Sequence, residues 1–486
     1  MEKFLNKMVF GVVLISSVCS LCAQETKWSL ENCIHYAMEN NIQIRQKQLE
    51  KENNEIKLNT ARMSRLPDLN AGAGQDFYFG RSLNRNNVYE DQSSASTSFR
   101  LSTSVPVFSG FRINNQVKGA RLDLKASIED LNKAREDVAL NVTSYYLQVL
   151  FKKEILDVAQ NQLALSKSQL EKTEKLVEGG KNPESALYES RALVATDELS
   201  VTQAENEWSL ALVDLAQLLN LETVEGFDIQ VPDIQSIMID QTASLVLPKD
   251  AFRYSVENRP GIKAAMHALE SSRYGLKQAK AGYYPSISFG ASYGTSYYHA
   301  YQNSEGNIPF SEQMKNNGSE TVGLSLSVPL FNRFSTRNQV KQARVQIAMQ
   351  QLALENAKSD LYKEIEQAYY TAIAAHKKFT SSQKSVDAAR IAFEYEQKKY
   401  DAGKSTIFEY TDAKTRYEKS LSEQVQARYE FLFRSKVLDF YNGKPLEFCK
   451  RVISGFLISG AIFSIGIVIY DTEVTIVSGF AYEMFF

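Results

Sequence analysis

Histidine and cysteine, the residues that most often bind metals or act as nucleophiles, are few and scattered in this chain. The four histidines, His35, His267, His299 and His376, lack the spacing of a metal site. The sequence contains no phosphate-binding loop. We therefore expect no metal, no cofactor and no enzymatic activity.

The number of cysteines in the mature chain depends on how the N-terminus is processed. Two lysines, an apolar run from Met8 to Val18 and small residues around Ala23 predict an export signal, residues 1–23, that is cleaved before Gln24. A lipoprotein attached through Cys19 or Cys22 is the alternative, but bulky residues precede both. Cleavage leaves Cys33 and Cys449, which we expect to be free thiols.

Charge is balanced over the 486 residues, with 55 basic and 57 acidic side chains, and this disfavours nucleic acid as a partner. The C-terminal segment, residues 445–486, is atypical. Its run from Val452 to Tyr470 has 19 residues without a charge, about the length of a membrane-spanning helix. Its glycine and β-branched content also fits strands, and a lineage-specific extension or sequence beyond a frameshift would explain it equally.

Two similar stretches, STSVPVFSGFRINNQVKGAR and SLSVPLFNRFSTRNQVKQAR, begin at Ser102 and Ser325, 223 residues apart. A period of this length indicates duplication of a whole structural unit. We predict one repeat over residues 24–225, a linker over 226–248 and a second repeat over 249–444.

Each repeat is predicted to contain a helix, two strands and two further helices. Proline is absent between Phe334 and Asn442, and Gly403 is the single glycine there, which permits very long helices. Such helices are stable when they pack side by side as coiled coils. The predicted spans are helix 30–64, strands 68–80 and 93–108 and helices 111–178 and 183–220, then helix 249–282, strands 285–298 and 320–331 and helices 334–402 and 405–441.

The strand segments alternate apolar residues with serine and glycine. This period-2 pattern is typical of a membrane β-barrel with a watery interior, and a soluble sandwich with one buried face is the alternative. The residues predicted to face lipid are Phe99, Leu101, Val105, Ile287, Phe289, Tyr293, Leu324, Leu326 and Val328. Four strands cannot close a barrel, so three copies with about 12 strands are predicted.

These motifs together resemble the TolC family of bacterial outer-membrane efflux proteins. The resemblance rests on SVPVF and SVPLF, NQVKGAR and NQVKQAR, LPDLNAGAG and YPSISFGAS, and KYDAGKSTIFEYTDAKTRYEKS. It implies a homotrimer with a transmembrane β-barrel in outer-membrane lipid and a mostly helical tunnel through the periplasm. It also implies a periplasmic adaptor protein and an inner-membrane pump, of the RND or ABC type, as partners.

The resemblance also implies a gate at the periplasmic end of the tunnel. Glu409 and Asp412 match two acidic positions of the family's constriction, and Tyr400 matches a tyrosine of the closed state. Ala186 and Ser405 depart from the family at two other gate positions, so we add the nearby acids Glu184 and Glu189. The alternative for Glu409 is a capping box with Thr406. The predicted adaptor-contact tips are Gly180, Lys181, Gly403 and Lys404.

The sequence favours a passive, gated efflux channel that exports small molecules. A duct for type I protein secretion is an alternative within the same architecture. A secreted coiled-coil structural or adhesive protein is the alternative from a different class. The cargo cannot be read from these residues, because a tunnel wall need not bind its cargo tightly.

Overall fold

The computed structural model describes residues 27–83, 88–91, 93–232, 247–301, 306–444 and 446. These residues belong to one structural unit. The predicted signal peptide, residues 233–246 of the linker and the uncharged run 452–470 lie outside the described residues.

Helices dominate the described chain, and two of them are 67 residues long. Each long helix lies within its predicted span, and no proline interrupts it. The helices are α1 (Leu30–Asn40), α2 (Ile42–Met63), α3 (Arg112–Glu178), α4 (Glu184–Leu219), α5 (Pro248–Asn258), α6 (Pro260–Ala281), α7 (Phe310–Asn316), α8 (Ser335–Asp401) and α9 (Ile407–Tyr441).

The first helix of each half is divided in two, where the sequence predicted one continuous helix. Asn41 adopts an extended conformation and its side chain accepts a hydrogen bond from the Gln43 N–H, so it ends α1 and caps α2. Arg259 is extended because it precedes Pro260, whose ring disfavours a helical residue before it. The two breaks occupy equivalent positions but have different local causes.

Four strands form one antiparallel sheet in the order β1-β4-β5-β6. A separate two-stranded hairpin, β2 with β3, and the short helix α7 were not predicted from the sequence. The strands are β1 (Asp68–Tyr78), β2 (Arg81–Leu83), β3 (Tyr89–Asp91), β4 (Ser94–Ser109), β5 (Ser286–Ala300) and β6 (Ser319–Ser327).

Each strand of the sheet is joined to a helix that extends away from it. Helix α2 precedes β1, α3 follows β4, α6 precedes β5 and α8 follows β6. Neighbouring helices contact one another in the order α2-α3-α6-α8, which is the order of their strands. The helices therefore form a layer that continues the sheet.

Strand β6 ends at Ser327, so the predicted strand over 320–331 is too long and Val328 is not a strand residue. Pro329 has no N–H to donate to a neighbouring strand, which explains the early end. Strand β4 accommodates Pro106 by a shift in register between Pro106 and Phe108. An irregularity of this kind tolerates a residue that cannot donate.

Side-chain amides replace a strand along the end of β5 that β6 does not reach. The Asn317 amide donates to the Ser296 carbonyl at 2.6 Å. Gln313 accepts from the Tyr298 N–H and donates to the Tyr298 carbonyl, both at 2.9 Å. Asn307 pairs with the backbone of Ala300 in the same two ways. These contacts satisfy the backbone groups of alternate residues on an otherwise open edge.

The largest hydrophobic core lies where α1, α3, α4 and α9 meet, far along α3 from the sheet. Tyr146 is fully buried there, and its hydroxyl donates to the Gln230 carbonyl at 2.5 Å. Cys33 is a free thiol in the same core, and burial raises its pKa to about 12. A thiol held in this protonated form is a poor nucleophile, as expected for a structural cysteine.

Gly110, between β4 and α3, provides a test of this junction. Its φ is 60°, and an added Cβ would lie 2.7 Å from the Ala281 carbonyl oxygen. Gly226 has a similar φ of 76° but open space around it. Left-handed backbone costs an alanine about 1–2 kcal/mol, so both substitutions by alanine should destabilise the fold. Gly110→Ala should lower the thermal midpoint, followed by helical circular dichroism, clearly more than Gly226→Ala. Equal shifts would contradict the close approach of α6.

Candidate functional site

The two helix-to-helix tips have the same backbone geometry. Gly180 follows α3 with φ 68°, and Gly403 follows α8 with φ 69°. The Lys181 N–H donates to the Leu176 carbonyl and the Lys404 N–H to the Lys399 carbonyl, both at 2.8 Å. Each glycine N–H also donates to the carbonyl three residues before it. Together the two bonds at each tip form a Schellman motif, which ends a helix at a left-handed glycine. Lys181 and Lys404 are both exposed at the predicted tips.

Glu409 forms the capping box that the sequence offered as an alternative to a gate role. Its carboxylate accepts from the Thr406 N–H at 2.9 Å, and the Thr406 hydroxyl accepts from the Glu409 N–H. The Ser405 hydroxyl donates to the same carboxylate oxygen at 2.9 Å. The hydrogen bond from the Thr406 N–H, followed by that from Ser405, lowers the pKa of Glu409 below its ordinary value. Glu409 therefore stays ionised on mild acidification.

Asp412 lies three residues after Glu409, so both carboxylates project from one face of α9. Asp412 forms an exposed ion pair with Arg416 at 2.8 Å. Neither carboxylate is committed to a buried contact in the single chain. Both carboxylates are exposed on the surface of α9.

The other predicted gate residues are placed differently. Tyr400 is buried against Phe393 and Tyr410, with the two tyrosine rings 5.2 Å apart. In the described part of the chain its hydroxyl has no hydrogen-bond partner. Glu184 begins α4 and Glu189 follows one turn later, both exposed. The structure brings Glu409 and Asp412 together, but it gives neither Glu184 nor Glu189 a contact with them.

A buried ionic cluster beside this region was not predicted from the sequence. Lys414, on α9, is 1% exposed, and its ammonium lies 2.6 Å from Asp197 of α4 and donates to Ser166 of α3 at 2.7 Å. Glu418, one turn along α9, lies 2.9 Å from the same ammonium. Burial raises the pKa of Glu418, and the Lys414 charge partly opposes this shift. The cluster joins the second helical hairpin, α8 with α9, to the first, α3 with α4.

The spacing of residues around Lys414 would have revealed that this lysine is buried, but it does not identify the carboxylate that pairs with it. Tyr410, Lys414 and Tyr417 recur at four- and three-residue intervals, so Lys414 occupies a core position of α9. Asp197 continues the buried series of Ser190 and Val194 on α4 in the same way. A basic residue at a core position of one helix and an acidic residue at a core position of another indicate a buried ion pair.

The sheet brings the predicted lipid-facing residues together on one face. The register pairs Leu101 with Tyr293, Val105 with Phe289, and Phe289 with Leu324. Residues paired across antiparallel strands point to the same side. The residues that share this face are Phe99, Leu101, Val105, Ile287, Phe289, Tyr293, Leu324 and Leu326, and all of them are at least partly exposed. The opposite face is mainly serine and glycine.

Among the described residues, no helix has both the length and the apolar character needed to cross a membrane. No group of histidine, cysteine, aspartate and glutamate in the same residues could hold a metal ion.

A family profile described as outer membrane efflux protein matches this chain twice, over residues 33–221 and 254–443. The alkaline protease secretion protein AprF of Pseudomonas aeruginosa is 22% identical over 77% of this chain and 76% of its own length. The pyoverdine export outer membrane protein OpmQ of Pseudomonas putida is 25% identical over 72% of each chain. The resemblance to the TolC family is thereby confirmed.

Solved structures share this fold at low sequence identity. The outer membrane protein VceC of Vibrio cholerae is 16% identical and superposes with a TM-score of 0.68, over 86% of this chain and 97% of VceC. The predicted mostly helical, TolC-like fold is therefore confirmed.

The Lys414 cluster yields a prediction about stability. Asp197→Asn leaves a buried ammonium without its nearest carboxylate, so it should lower the free energy of unfolding by about 3–5 kcal/mol. Arg416→Gln breaks the exposed pair with Asp412 on the same helix and should cost less than about 1 kcal/mol. Denaturant unfolding followed by circular dichroism measures both, and equal costs would show that Lys414 is not held in a buried pair.

Proposed function

The chain belongs to the outer membrane efflux protein family, and from this premise we propose that three copies form the exit duct of a tripartite efflux pump. The duct crosses the outer membrane as a β-barrel of about 12 strands and continues through the periplasm as a helical tunnel. Each repeat contributes two strands and two long helices to it. The channel has no catalytic role and passes its cargo passively when the periplasmic gate opens.

The observation that carries the proposal is that unpaired strand edges and exposed apolar helix stripes occur together at the same two borders of the chain, at β1 with α2 and at β6 with α8. Strands β1 and β6 are the outer strands of the sheet, and each is paired on one side only among the described residues. Unpaired backbone groups cost several kcal/mol each in lipid, so these edges require partners. Strand β1 of one copy can pair with β6 of the next, and three such junctions close a ring.

Exposed apolar stripes continue these borders along the helices. On α2, which leads to β1, the exposed residues Ile42, Leu49, Ile56 and Met63 recur every seven residues. On α8, which follows β6, Val345, Met349 and Leu352 form a similar exposed stripe. A heptad stripe left open in a single chain is the surface that a coiled-coil partner covers. In the ring, α2 of one copy packs against α8 of the next.

Exposed aromatic residues at the junction of sheet and helices support insertion in a membrane. Phe111 packs edge-on against Phe108, and Phe334 against Phe331, with ring centroids 5.4 Å and 5.5 Å apart. Phe111, Phe331 and Phe334 are all exposed, as is Leu330. Large apolar side chains gathered at the end of a barrel strand mark the boundary of the hydrocarbon layer.

The gate is proposed at the end of the tunnel farthest from the sheet. Threefold repetition of Glu409 and Asp412 would bring six carboxylates to one axis, where they attract cations. The proposed opening motion separates the α8–α9 hairpin from its neighbours when an adaptor protein contacts the tips at Gly180, Lys181, Gly403 and Lys404. Tyr400 and the Lys414 cluster hold α9 in its closed position.

Small molecules are the proposed cargo, driven by an inner-membrane pump of the RND or ABC type. Protein secretion is a second candidate, favoured by the similarity to AprF, whose name assigns it to protease secretion. Affinity purification with mass spectrometry distinguishes these two cargo classes, because each requires its own adaptor and pump.

Membrane fractionation and bilayer recording test the proposed function itself. The full chain should enter the outer-membrane fraction, need detergent for extraction and form conducting channels in planar bilayers. Recovery from the soluble periplasm without detergent would instead support a secreted coiled-coil protein.

The trimer interface is tested by charges placed in the α2 stripe. Leu49→Asp with Ile56→Asp should abolish trimers, because two carboxylates cannot be buried unpaired against α8 of the next copy. Gln48→Asp with Asn59→Asp adds the same charge at exposed positions outside the stripe and should leave the trimer intact. Light scattering in detergent reports the assembled mass, and an intact trimer in the first variant would contradict this interface.

The gate is tested by Glu409→Gln with Asp412→Asn. Glutamine keeps the capping box, so the variant should fold while losing both negative charges. In single-channel recordings, the concentration of a multivalent cation that blocks half of the current should rise at least about tenfold, because six carboxylates are lost from the axis. Asp387→Asn removes a charge elsewhere on α8 and should leave the block unchanged. Unaltered block in the double variant would exclude these two residues from the constriction.

A further inference from the structure

The helix segments next to the sheet contain basic residues and no acidic ones. They are residues 56–66, 112–121, 272–282 and 333–344, and they carry thirteen lysines and arginines within a chain that is nearly neutral. All thirteen are exposed. We call them the basic collar: Lys57, Arg62, Arg65, Arg112, Lys118, Arg121, Arg273, Lys277, Lys280, Arg333, Arg337, Lys341 and Arg344.

The collar charges are not neutralised within the chain. Elsewhere the helices carry surface pairs such as Lys175 with Glu171 and Arg390 with Glu394. None of the thirteen collar residues forms an ion pair with any described residue. A concentration of unpaired charge of one sign attracts a partner of the opposite sign.

Most collar residues lie on one side of the helix layer. In α3, Val117 packs toward α2 and Gly119 toward α6, so Lys118 and Arg121 project between these directions, out of the layer. Lys118 of α3 and Lys277 of α6 both approach the ring of Tyr274, at 5.8 Å and 4.4 Å. The two helices therefore present their basic residues to the same side.

Helix α8 repeats this arrangement. Thr336 and Val340 are buried toward α6, whereas Arg337, Lys341 and Arg344 follow at four- and three-residue intervals on another face. The face opposite this basic one carries uncharged glutamines, Gln339, Gln342 and Gln346. Helix α8 thus has a basic side and a neutral polar side.

The basic side is the side of the apolar sheet face. Phe108 pairs with Ile287 of the apolar face and contacts Phe111 at the start of α3. At the equivalent junction, Phe331 contacts Phe334, and the Arg337 guanidinium lies 5.7 Å from the centre of the Phe334 ring. Through this contact with Phe334, Arg337 lies on the side of the junction phenylalanines and of the apolar face.

The collar lies at the depth of lipid headgroups. Arg112 and Arg337 are within three residues of the helix ends nearest the sheet, and Arg344 is nine residues into α8. At about 1.5 Å per residue, these positions span the first ~14 Å beyond the helix start. The headgroup region is about 5–8 Å deep, and charges act over about 8 Å beyond it at physiological salt.

We propose that the basic collar binds the phosphate groups of anionic phospholipids in the leaflet on the helical side of the membrane. This inference rests on the proposed membrane channel and adds a lipid partner to it. Arginine and lysine side chains bind phosphate through charge-assisted hydrogen bonds, and the neighbouring phenylalanines anchor the acyl chains. The collar thereby fixes how deeply the barrel sits in the membrane.

The test compares two variants of α8 that remove equal charge. Arg337→Gln, Lys341→Gln and Arg344→Gln together alter the collar, whereas Lys363→Gln, Lys377→Gln and Lys384→Gln alter exposed lysines farther along the same helix. The full-length protein is delipidated in detergent and titrated with phosphatidylglycerol or phosphatidylcholine, and native mass spectrometry counts the bound lipids. A basic residue near an anionic surface contributes about fivefold in affinity, or ~1 kcal/mol.

We expect the unaltered protein and the control to prefer phosphatidylglycerol, and the collar variant to bind it at least about tenfold more weakly. Equal binding of phosphatidylglycerol by both variants would overturn the proposal. So would a changed ion selectivity in planar bilayers with unchanged lipid binding, because the collar charges would then face the lumen. A complete absence of channels in every bilayer would count against the proposed function instead.

Discussion

Every exposed backbone N–H and C=O group of a sheet in lipid must have a hydrogen-bond partner, and in the proposed channel this requirement governs how the strands are arranged. The chain meets it in two different ways. At the end of β5 it covers the edge itself, through the side-chain amides of Asn307, Gln313 and Asn317. Along β1 and β6 the edges have no such cover among the described residues. The contrast between the satisfied end of β5 and the open edges of β1 and β6 supports the proposed pairing with strands of other copies.

In the proposed ring, the helices extend the closed sheet into a tunnel. Because each strand of the sheet is joined to a helix in the same order, closing the sheet also closes the helix layer. The far ends of the helices are held by internal contacts, among them the buried Lys414 cluster. A buried lysine bonded to Asp197 and Ser166 joins two hairpins that hydrophobic contacts alone would allow to slide. Its directional bonds fix one relative position of the tips.

The sequence predicted the long helices well because their signal is strong over many residues. The absence of proline from α3 and α8 and a repeated strand-to-helix junction define their spans closely. Local features were harder to predict from the sequence. The break at Asn41, the register shift after Pro106 and helix α7 each depend on one or two side chains whose role appears only when their partners are in place. Of the site, the capping box of Glu409 was foreseen, but Lys414 was not, since its partner Asp197 lies 217 residues away.

Charge placement on the helices is consistent with the proposed closed layer. A helix in a wall one helix thick has two free sides, and near the sheet those of α8 differ: glutamines on one, arginines and a lysine on the other. Folding of a single chain gives no reason for this asymmetry, because both sides of an isolated layer face water. It has a reason when one side surrounds a pore and the other meets a negatively charged surface at the edge of the membrane. The sheet is apolar on one face and serine-rich on the other. A similar division continues into helix α8, where one side is basic and the other is neutral.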